Sequence, residues 1–136
     1  MICVVDASVA LSWSLPDEGN ETTFALLKDL ESESAVAPAV WPLELANALL
    51  VAERRKRVTF AQANKALTML LNLPIDICLP PRDMEIRQII SLARTYRLST
   101  YDAAYLELAL RLSLPLATLD NHLQQAAKQA GVEAIF

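Results

Sequence analysis

The sequence predicts an α/β fold, with a mainly parallel central sheet and helices on both of its faces. The chain has 136 residues, which is the length of one domain. Short β-branched and apolar runs alternate with longer segments of helical pattern, as in folds built from strand–helix–strand units. These runs are apolar throughout, which is typical of strands covered on both faces. We therefore expect residues 1–136 to form a single domain.

The first third of the chain contains one predicted strand and two predicted helices. The β-branched run Ile2–Asp6 predicts a buried strand that ends in an acid. Residues Ala7–Trp13 favour a helix, which Pro16 ends because proline lacks an amide hydrogen. A second helix is expected over Glu21–Glu31, where apolar side chains recur on one face.

The middle of the chain contains a short predicted strand followed by two helices. The strand is Ala35–Ala37, and the third helix covers Trp41–Arg54. A proline stands at the second position of this helix, where its missing amide hydrogen costs nothing. Thr59 and Gln62 have the spacing of a capping box, which predicts that a fourth helix begins there and ends before Pro74.

The last part of the chain continues the alternation of strands and helices. The predicted strands are Ile75–Leu79, Pro115–Leu119 and Val132–Ile135. The predicted helices are Arg82–Tyr96, Thr100–Leu112 and Asn121–Ala130. Gly131 ends the last helix, because glycine readily adopts the left-handed conformation found after a helix.

Composition excludes several classes of function. Two glycines are too few for a P-loop or for a G-x-G-x-x-G dinucleotide loop. The single histidine, His122, excludes a multi-histidine zinc site. Cys3 and Cys78 are too far apart in the sequence for a C-x-x-C motif. Two cysteines without an evident disulfide partner favour a reducing compartment, so we expect the protein in the cytoplasm. No apolar run approaches the ~20 residues of a membrane helix, so no membrane partner is expected.

Four acids occupy equivalent places in the predicted fold. Asp6 and Asp120 follow strands, and Glu44 and Asp102 lie in the first turns of helices. If the strands are parallel, these positions meet at one edge of the sheet. Four carboxylates at one edge repel one another unless a cation lies between them. Mg²⁺ and Mn²⁺ prefer oxygen ligands, so we expect one of these ions as the cofactor.

Each of these acids also has a purely structural explanation. Asp6 and Asp120 are suitable helix N-caps. Asp102 stands three residues after a serine, as in a capping box, and Glu44 complements a helix dipole. Glu44 is the acid least well explained in this way, because Asn47 is the only other polar side chain in its long apolar stretch. An acid in such a stretch is rarely buried without a partner.

Four sequence motifs resemble those of one known family. In chain order they are V-V-D-A-S-V-A-L at 4–11, L-E-L-A-N at 43–47, T-Y-D-A-A-Y-L-E-L-A at 100–109 and L-A-T-L-D at 116–120. With them the chain resembles the PIN-domain ribonucleases, and most closely the VapC-type toxins of bacterial and archaeal toxin–antitoxin pairs. The motifs span nearly the whole chain, which would then be a single PIN domain over residues 1–136.

The resemblance implies a metal-dependent endoribonuclease that acts on an RNA substrate and is neutralised by a cognate VapB-type antitoxin. Mg²⁺ or Mn²⁺ would activate a water molecule for attack on a phosphodiester. The residues implied as metal ligands and catalytic groups are Asp6, Glu44, Asp102 and Asp120. The residues that would surround and orient them are Ser8, Asn47 and Thr118, although helix-start bonding of Ser8 and core packing of Asn47 explain these two equally well.

The charge distribution bears on how such a chain binds RNA. The net charge is −4, so the chain as a whole has no attraction for a polyanion. The only dense basic cluster consists of Arg54, Arg55, Lys56 and Arg57. This cluster is a candidate contact for RNA phosphates, and it would equally complement the C-terminus of the third helix.

The apolar share of the sequence predicts an assembly larger than one chain. Apolar residues make up 54% of the sequence, and the third and fourth helices are expected to expose more of them than a monomer tolerates. We therefore expect a two-fold homodimer.

Two alternative functions remain open at this stage. A receiver-like phosphoacceptor domain is also α/β and acidic, but it would require an acidic pair after the first strand, where this chain has Asp6-Ala-Ser. A catalytically idle PIN scaffold that acts only in binding is the other alternative. The retention of all four acids argues against it.

Overall fold

The computed structural model describes residues 1–136 and contains five strands and seven helices. The strands are β1 Val4–Val5, β2 Ala35–Ala37, β3 Ile75–Ile77, β4 Leu116–Ala117 and β5 Ala134–Ile135. The helices are α1 Ala7–Ser12, α2 Glu21–Asp29, α3 Trp41–Arg54, α4 Phe60–Leu71, α5 Asp83–Tyr96, α6 Thr100–Leu112 and α7 Asn121–Gln129. All twelve predicted elements are therefore present, and the strands other than β2 are shorter than predicted.

All five strands are parallel and are arranged in the order β3-β2-β1-β4-β5. The predicted α/β class is confirmed, and the sheet is entirely rather than mainly parallel. Val4 of β1 pairs with Val36 on one side and with Leu116 on the other. The chain moves outward from β1 through β2 to β3, and then crosses to the opposite side for β4 and β5. In open parallel sheets such a reversal leaves a crevice at the carboxyl ends of the two central strands.

The core is built around β1 and α6. Both residues of β1 are fully buried, and α6 is buried from Tyr105 to Ala109 because it lies between the sheet and its neighbouring helices. Trp41 and Leu45 of α3 complete this part of the core. Each fully buried leucine contributes roughly 1.5–3 kcal/mol, so the ends of β1 and α6 are held firmly in place. None of the helices has the length and apolarity needed to cross a membrane.

Side-chain caps fix where several helices begin. The predicted capping box of α4 is confirmed: Thr59 Oγ1 accepts from the amide of Gln62, and Gln62 Oε1 accepts from the amide of Thr59. At the start of α6, Ser99 Oγ accepts from the amide of Asp102 at 3.1 Å. Caps of this kind stabilise a helix by roughly 1 kcal/mol and set the position of its first turn.

Candidate functional site

All four predicted acids line one open pocket of about 340 Å³ at the crevice between the ends of β1 and β4. Asp6 directly follows β1, and Asp120 lies between β4 and α7. Glu44 and Asp102 project from the first turns of α3 and α6. We call this cavity the acidic pocket. Its lining also includes Ser8 and Asn47, whereas Thr118 is fully buried.

Asp6 is the most buried of the four acids, at 6% exposure. Its Oδ2 accepts hydrogen bonds from Ser8 Oγ at 2.8 Å and from Thr118 Oγ1 at 2.7 Å. The same two hydroxyl oxygens accept from backbone amides: Ser8 Oγ from Leu119 at 3.0 Å, and Thr118 Oγ1 from Asp120 at 3.1 Å. Two hydroxyl groups thus tie the segment after β1 to the segment after β4. No side-chain donor reaches Oδ1 of Asp6.

Glu44 is partly buried and has an unexpected partner. Tyr105 Oη donates to Glu44 Oε1 at 2.5 Å, and the ring of Tyr105 is fully buried. The sequence reasoning gave Tyr105 no role, although it lies in the same motif as Asp102. The available signal was its spacing, because a residue three positions after Asp102 on a helix lies on the same face.

The expectation that an acid caps the following helix is correct for Asp120 at α7 and wrong for Asp6 at α1. Asp120 is the N-cap of α7, since its Oδ1 accepts from the amide of Leu123 at 2.8 Å. Its Oδ2 has no protein donor. Asp6 precedes α1 but makes no capping hydrogen bond, so its predicted role as a cap is wrong. At α6 the cap is Ser99 alone, and no reciprocal bond from Asp102 completes the predicted capping box.

The acidic pocket carries concentrated negative charge, and none of its four carboxylates pairs with a lysine or arginine. The ion pairs of the protein lie elsewhere, between Arg57 and Glu18, Arg87 and Asp83, and Arg111 and Glu107. Burial is the main cause that raises the pKa of Asp6, Glu44 and Asp102 above the ordinary values. Repulsion among these carboxylates raises the three pKa values further, and hydrogen bonds from nearby hydroxyl groups oppose the change.

The donor set of the pocket fits a hard divalent cation. Every candidate ligand is an oxygen atom, and Asp6, Glu44 and Asp120 each keep one oxygen that accepts no hydrogen bond from a side chain. The carboxylates do not form a closed cage, since no three histidine, cysteine or acidic side chains converge as ligands of one ion. Mg²⁺ commonly keeps several water ligands and is bound through one or two carboxylates, so an open pocket suits it.

The basic cluster lies outside the acidic pocket. Arg54, Arg55, Lys56 and Arg57 are exposed at and beyond the C-terminal end of α3. Glu44 is near the opposite end of that helix, roughly 15 Å away at a rise of 1.5 Å per residue. One member of the cluster, Arg57, pairs with Glu18 at 2.9 Å.

The raised pKa values predict an unusual pH dependence for the metal-free protein. A carboxyl whose pKa is higher in the folded state than in the unfolded state binds a proton more readily when the protein is folded. Its contribution to stability is therefore fully present below the unfolded pKa of about 4. That contribution is lost as the pH rises through the folded pKa. Lowering the pH from 7 to 5 in EDTA should therefore stabilise the parent more than the double variant Glu44→Gln, Asp102→Asn. The measurement is denaturant unfolding at both pH values. Equal pH dependence of the two proteins would contradict the assigned electrostatics.

The fold and the pocket together define a class: an α/β domain with an acidic pocket, suited to a divalent cation, at the switch point of a parallel sheet. The family model described as PIN domain matches residues 3–129. The chain belongs to the PIN-domain family, which confirms the predicted resemblance at that level.

Several solved structures are similar to this chain over almost their whole length. PAE2754 from Pyrobaculum aerophilum is 24% identical with a TM-score of 0.76, and the match covers 99% of this chain and 91% of the other. FitAcB from Neisseria gonorrhoeae is 21% identical with a TM-score of 0.68, covering 99% and 97%. A toxin–antitoxin complex from Klebsiella pneumoniae is 16% identical with a TM-score of 0.66, covering 98% of each chain. At these identities the likeness concerns the fold. Comparison with curated proteins gives no match.

Proposed function

We propose that this chain is a metal-dependent endoribonuclease and acts as a VapC-type toxin. PIN domains are generally nucleases, which supports the class of reaction. The observation that carries the proposal is the acidic pocket itself, in which four carboxylates line one cavity and none forms an ion pair with lysine or arginine. A structural role does not explain this arrangement, because unpaired like charges at one place are unfavourable unless a cation joins them.

In this mechanism Asp6, Glu44, Asp102 and Asp120 would hold Mg²⁺ or Mn²⁺. When bound, the ion supplies a water of lowered pKa and offsets the charge that develops on the phosphate. Ser8 and Thr118 keep Asp6 fixed through their two hydroxyl groups, and Asn47 is in place to hydrogen-bond within the pocket. Because water rather than the ribose 2′-hydroxyl attacks, the products carry 5′-phosphate and 3′-hydroxyl ends.

The test is cleavage of a structured RNA by the purified protein in Mn²⁺ and in EDTA. The parent should cleave only with Mn²⁺ or Mg²⁺, and Asp102→Asn should lose most activity. Asp29→Asn is the matched control, because it makes the same chemical change at an exposed position that does not line the pocket. Cleavage that persists after chelation would refute the site. An inert parent that still binds a protein partner would favour the idle scaffold, and uptake of phosphate from a small phosphodonor would favour the receiver-like alternative.

RNA would reach the pocket with help from the basic cluster. We assign Arg54, Arg55, Lys56 and Arg57 to contacts with RNA phosphates beyond the scissile bond. The exposure of all four side chains supports this role, since accessible lysine and arginine can release counterions from a polyanion.

A cognate antitoxin of the VapB type is the proposed partner, in keeping with the toxin–antitoxin complex among the similar structures. An apolar groove lined by Trp13, Leu15, Leu49 and Met69 runs between α1, α3 and α4. Leu11 lines the acidic pocket and also packs against the apolar cluster beneath this groove. A partner segment in the groove would therefore reach the pocket and supply an arginine or lysine, whose hydrogen bonds suit carboxylates.

Met69→Glu should weaken binding of this antitoxin by tenfold or more, because it places a charge in the apolar groove, and ~1.4 kcal/mol corresponds to a factor of ten. Calorimetry with an antitoxin protein identified by copurification measures the change. Leu110→Glu is the control, since Leu110 is 40% exposed like Met69 and lines neither the groove nor the cavity at the surface assigned to the dimer. Equal affinities of the two variants would remove the groove from the interface.

The expected homodimer is also proposed here, with its surface assigned. Leu43 of α3 is 72% exposed and Phe60 of α4 is 69% exposed, in keeping with the expectation that these helices expose apolar residues. A dimer over these helices would, however, cover the groove that leads to the acidic pocket. A second surface leaves the pocket open: Ile86 and Tyr101 line a cavity of about 310 Å³, and Met84 on α5 is 81% exposed. We assign the two-fold contact to this second surface.

Met84→Glu should convert the dimer to a monomer, because a two-fold axis places the new charge on both sides of the contact. Light scattering at tens of micromolar measures the mass. Met69→Glu serves as the control and should remain dimeric. A monomeric parent would contradict the assembly, and a dimeric Met84→Glu protein would contradict its assigned surface.

A further inference from the structure

Tyr105 places a polar atom in a core position where phenylalanine would fill the same space. Its side chain is fully buried, and its one side-chain hydrogen bond is the 2.5 Å contact from Oη to Glu44 Oε1. A buried hydroxyl group needs a partner, and Glu44 Oε1 is the one side-chain acceptor that Tyr105 Oη has. The hydroxyl group is therefore explained by what it does to Glu44 rather than by packing.

Glu44 needs an external restraint to remain in the pocket. A glutamate side chain has three rotatable bonds, and this one lies at the rim of an open cavity, where water competes for its oxygens. The bond from Tyr105 engages Oε1 and leaves Oε2 with no protein donor. It also links two metal candidates, because Tyr105 lies one helical turn after Asp102 on the same face of α6.

We propose that Tyr105 is a positioning residue that holds Glu44 in the acidic pocket and leaves Oε2 as its single oxygen for a divalent cation. This inference rests on the proposed function, because it assumes that Glu44 is a metal ligand. Partners that orient a ligand commonly account for a factor of 10–100 in metal affinity or activity. The core helix α6 then contributes one ligand through Asp102 and fixes a second through Tyr105.

The experiment is Mn²⁺ binding by calorimetry to the full-length parent, Tyr105→Phe, Glu44→Gln and the double variant. Tyr105→Phe should raise the Kd for Mn²⁺ by about tenfold or more, and kcat for RNA should fall with little change in KM. Tyr96→Phe is the matched control, since the Tyr96 hydroxyl makes no hydrogen bond in the protein and Tyr96 lines neither the acidic pocket nor the cavity at the surface assigned to the dimer. In the Glu44→Gln background, Tyr105→Phe should cause little further loss, whereas a merely structural tyrosine would weaken both backgrounds equally.

The outcomes separate this inference from the proposed function. If the parent binds Mn²⁺ and Glu44→Gln weakens binding while Tyr105→Phe matches the parent, the positioning role is wrong and the metal site stands. If the parent does not bind Mn²⁺, the proposed function fails and the inference fails with it.

Glu44→Asp provides a second test if Tyr105→Phe does not fold, because it shortens the side chain, moves the carboxylate away from Tyr105 Oη and keeps the charge. It should lose affinity as Tyr105→Phe does, and parent-like binding would overturn the inference.

Discussion

Replacing Asp102 by asparagine should invert the order of thermal stability when metal is added. In EDTA the Asp102→Asn protein should melt above the parent, because the carboxylates of Asp6 and Asp120 no longer repel a third charge. The gain should be about 1 kcal/mol, as expected for nearby charges at high effective dielectric. In Mn²⁺ at a hundred times Kd the parent should gain roughly 2.7 kcal/mol, and the variant much less because it lacks a charged ligand.

Melting curves in EDTA and in millimolar Mn²⁺ measure both halves of this prediction. Asparagine keeps the shape of aspartate, and Ser99 caps α6 through the backbone amide in either protein, so the helix start is unaffected. Asp29→Asn provides the reference and should shift in parallel with the parent. A parallel shift of Asp102→Asn would show that Asp102 is not a ligand, which would remove the main support for the nuclease.

Replacing Thr118 by valine should destabilise the protein by about 2–3 kcal/mol at pH 7. The substitution conserves shape but removes the donor to Asp6 Oδ2 and the acceptor for the amide of Asp120. Hydrogen bonds to charged groups contribute roughly 1.5–3 kcal/mol, and the lost bond to the partly buried amide of Asp120 adds to the cost. Asp6 is only 6% exposed, so water cannot replace the lost donor.

Urea unfolding measures this cost, and Thr68→Val is the matched control. Thr68 lies on α4, where its exposed hydroxyl donates only to a backbone carbonyl, so the change there should stay within about 0.5 kcal/mol. In an Asp6→Asn background the cost of Thr118→Val should fall by about half, because charge-assisted hydrogen bonds are roughly twice as strong as neutral ones. If Thr118→Val proves as stable as Thr68→Val, the hydroxyl network does not hold Asp6.

The sequence contained enough information for the fold because its signals are local. The capping box at Thr59 and the apolar runs at β1 and β2 depend on neighbouring residues, and the structure confirms them. The grouping of Asp6 with Asp120 also followed from local signals. Once both were placed after parallel strands, the geometry of the sheet put them at one edge.

The finer arrangement of the site depends on contacts that no local pattern encodes. The bond between Tyr105 and Glu44 joins residues 61 positions apart and exists only because the fold brings the N-terminal parts of α3 and α6 to the same pocket. Burial of Tyr105 was equally compatible with ordinary core packing, so its hydroxyl was overlooked. Asp120 caps α7 through its side chain, whereas Asp6 makes no capping hydrogen bond to α1. This difference could not be predicted from the sequence, because both acids stand in the same pattern, after a strand and before a helix.

The two hydroxyl groups on Asp6 have a consequence for where a proton can bind. The hydroxyl groups of Ser8 and Thr118 each carry one hydrogen atom to donate. Each hydroxyl oxygen already accepts a hydrogen bond from a backbone amide, so each hydroxyl donates its hydrogen to Oδ2 of Asp6. An added proton is then directed to Oδ1, the same atom that remains for a cation. If Asp6 is the proposed ligand, protons and metal ions would therefore compete for Oδ1, and metal binding to the protonated acid would release a proton into the solvent.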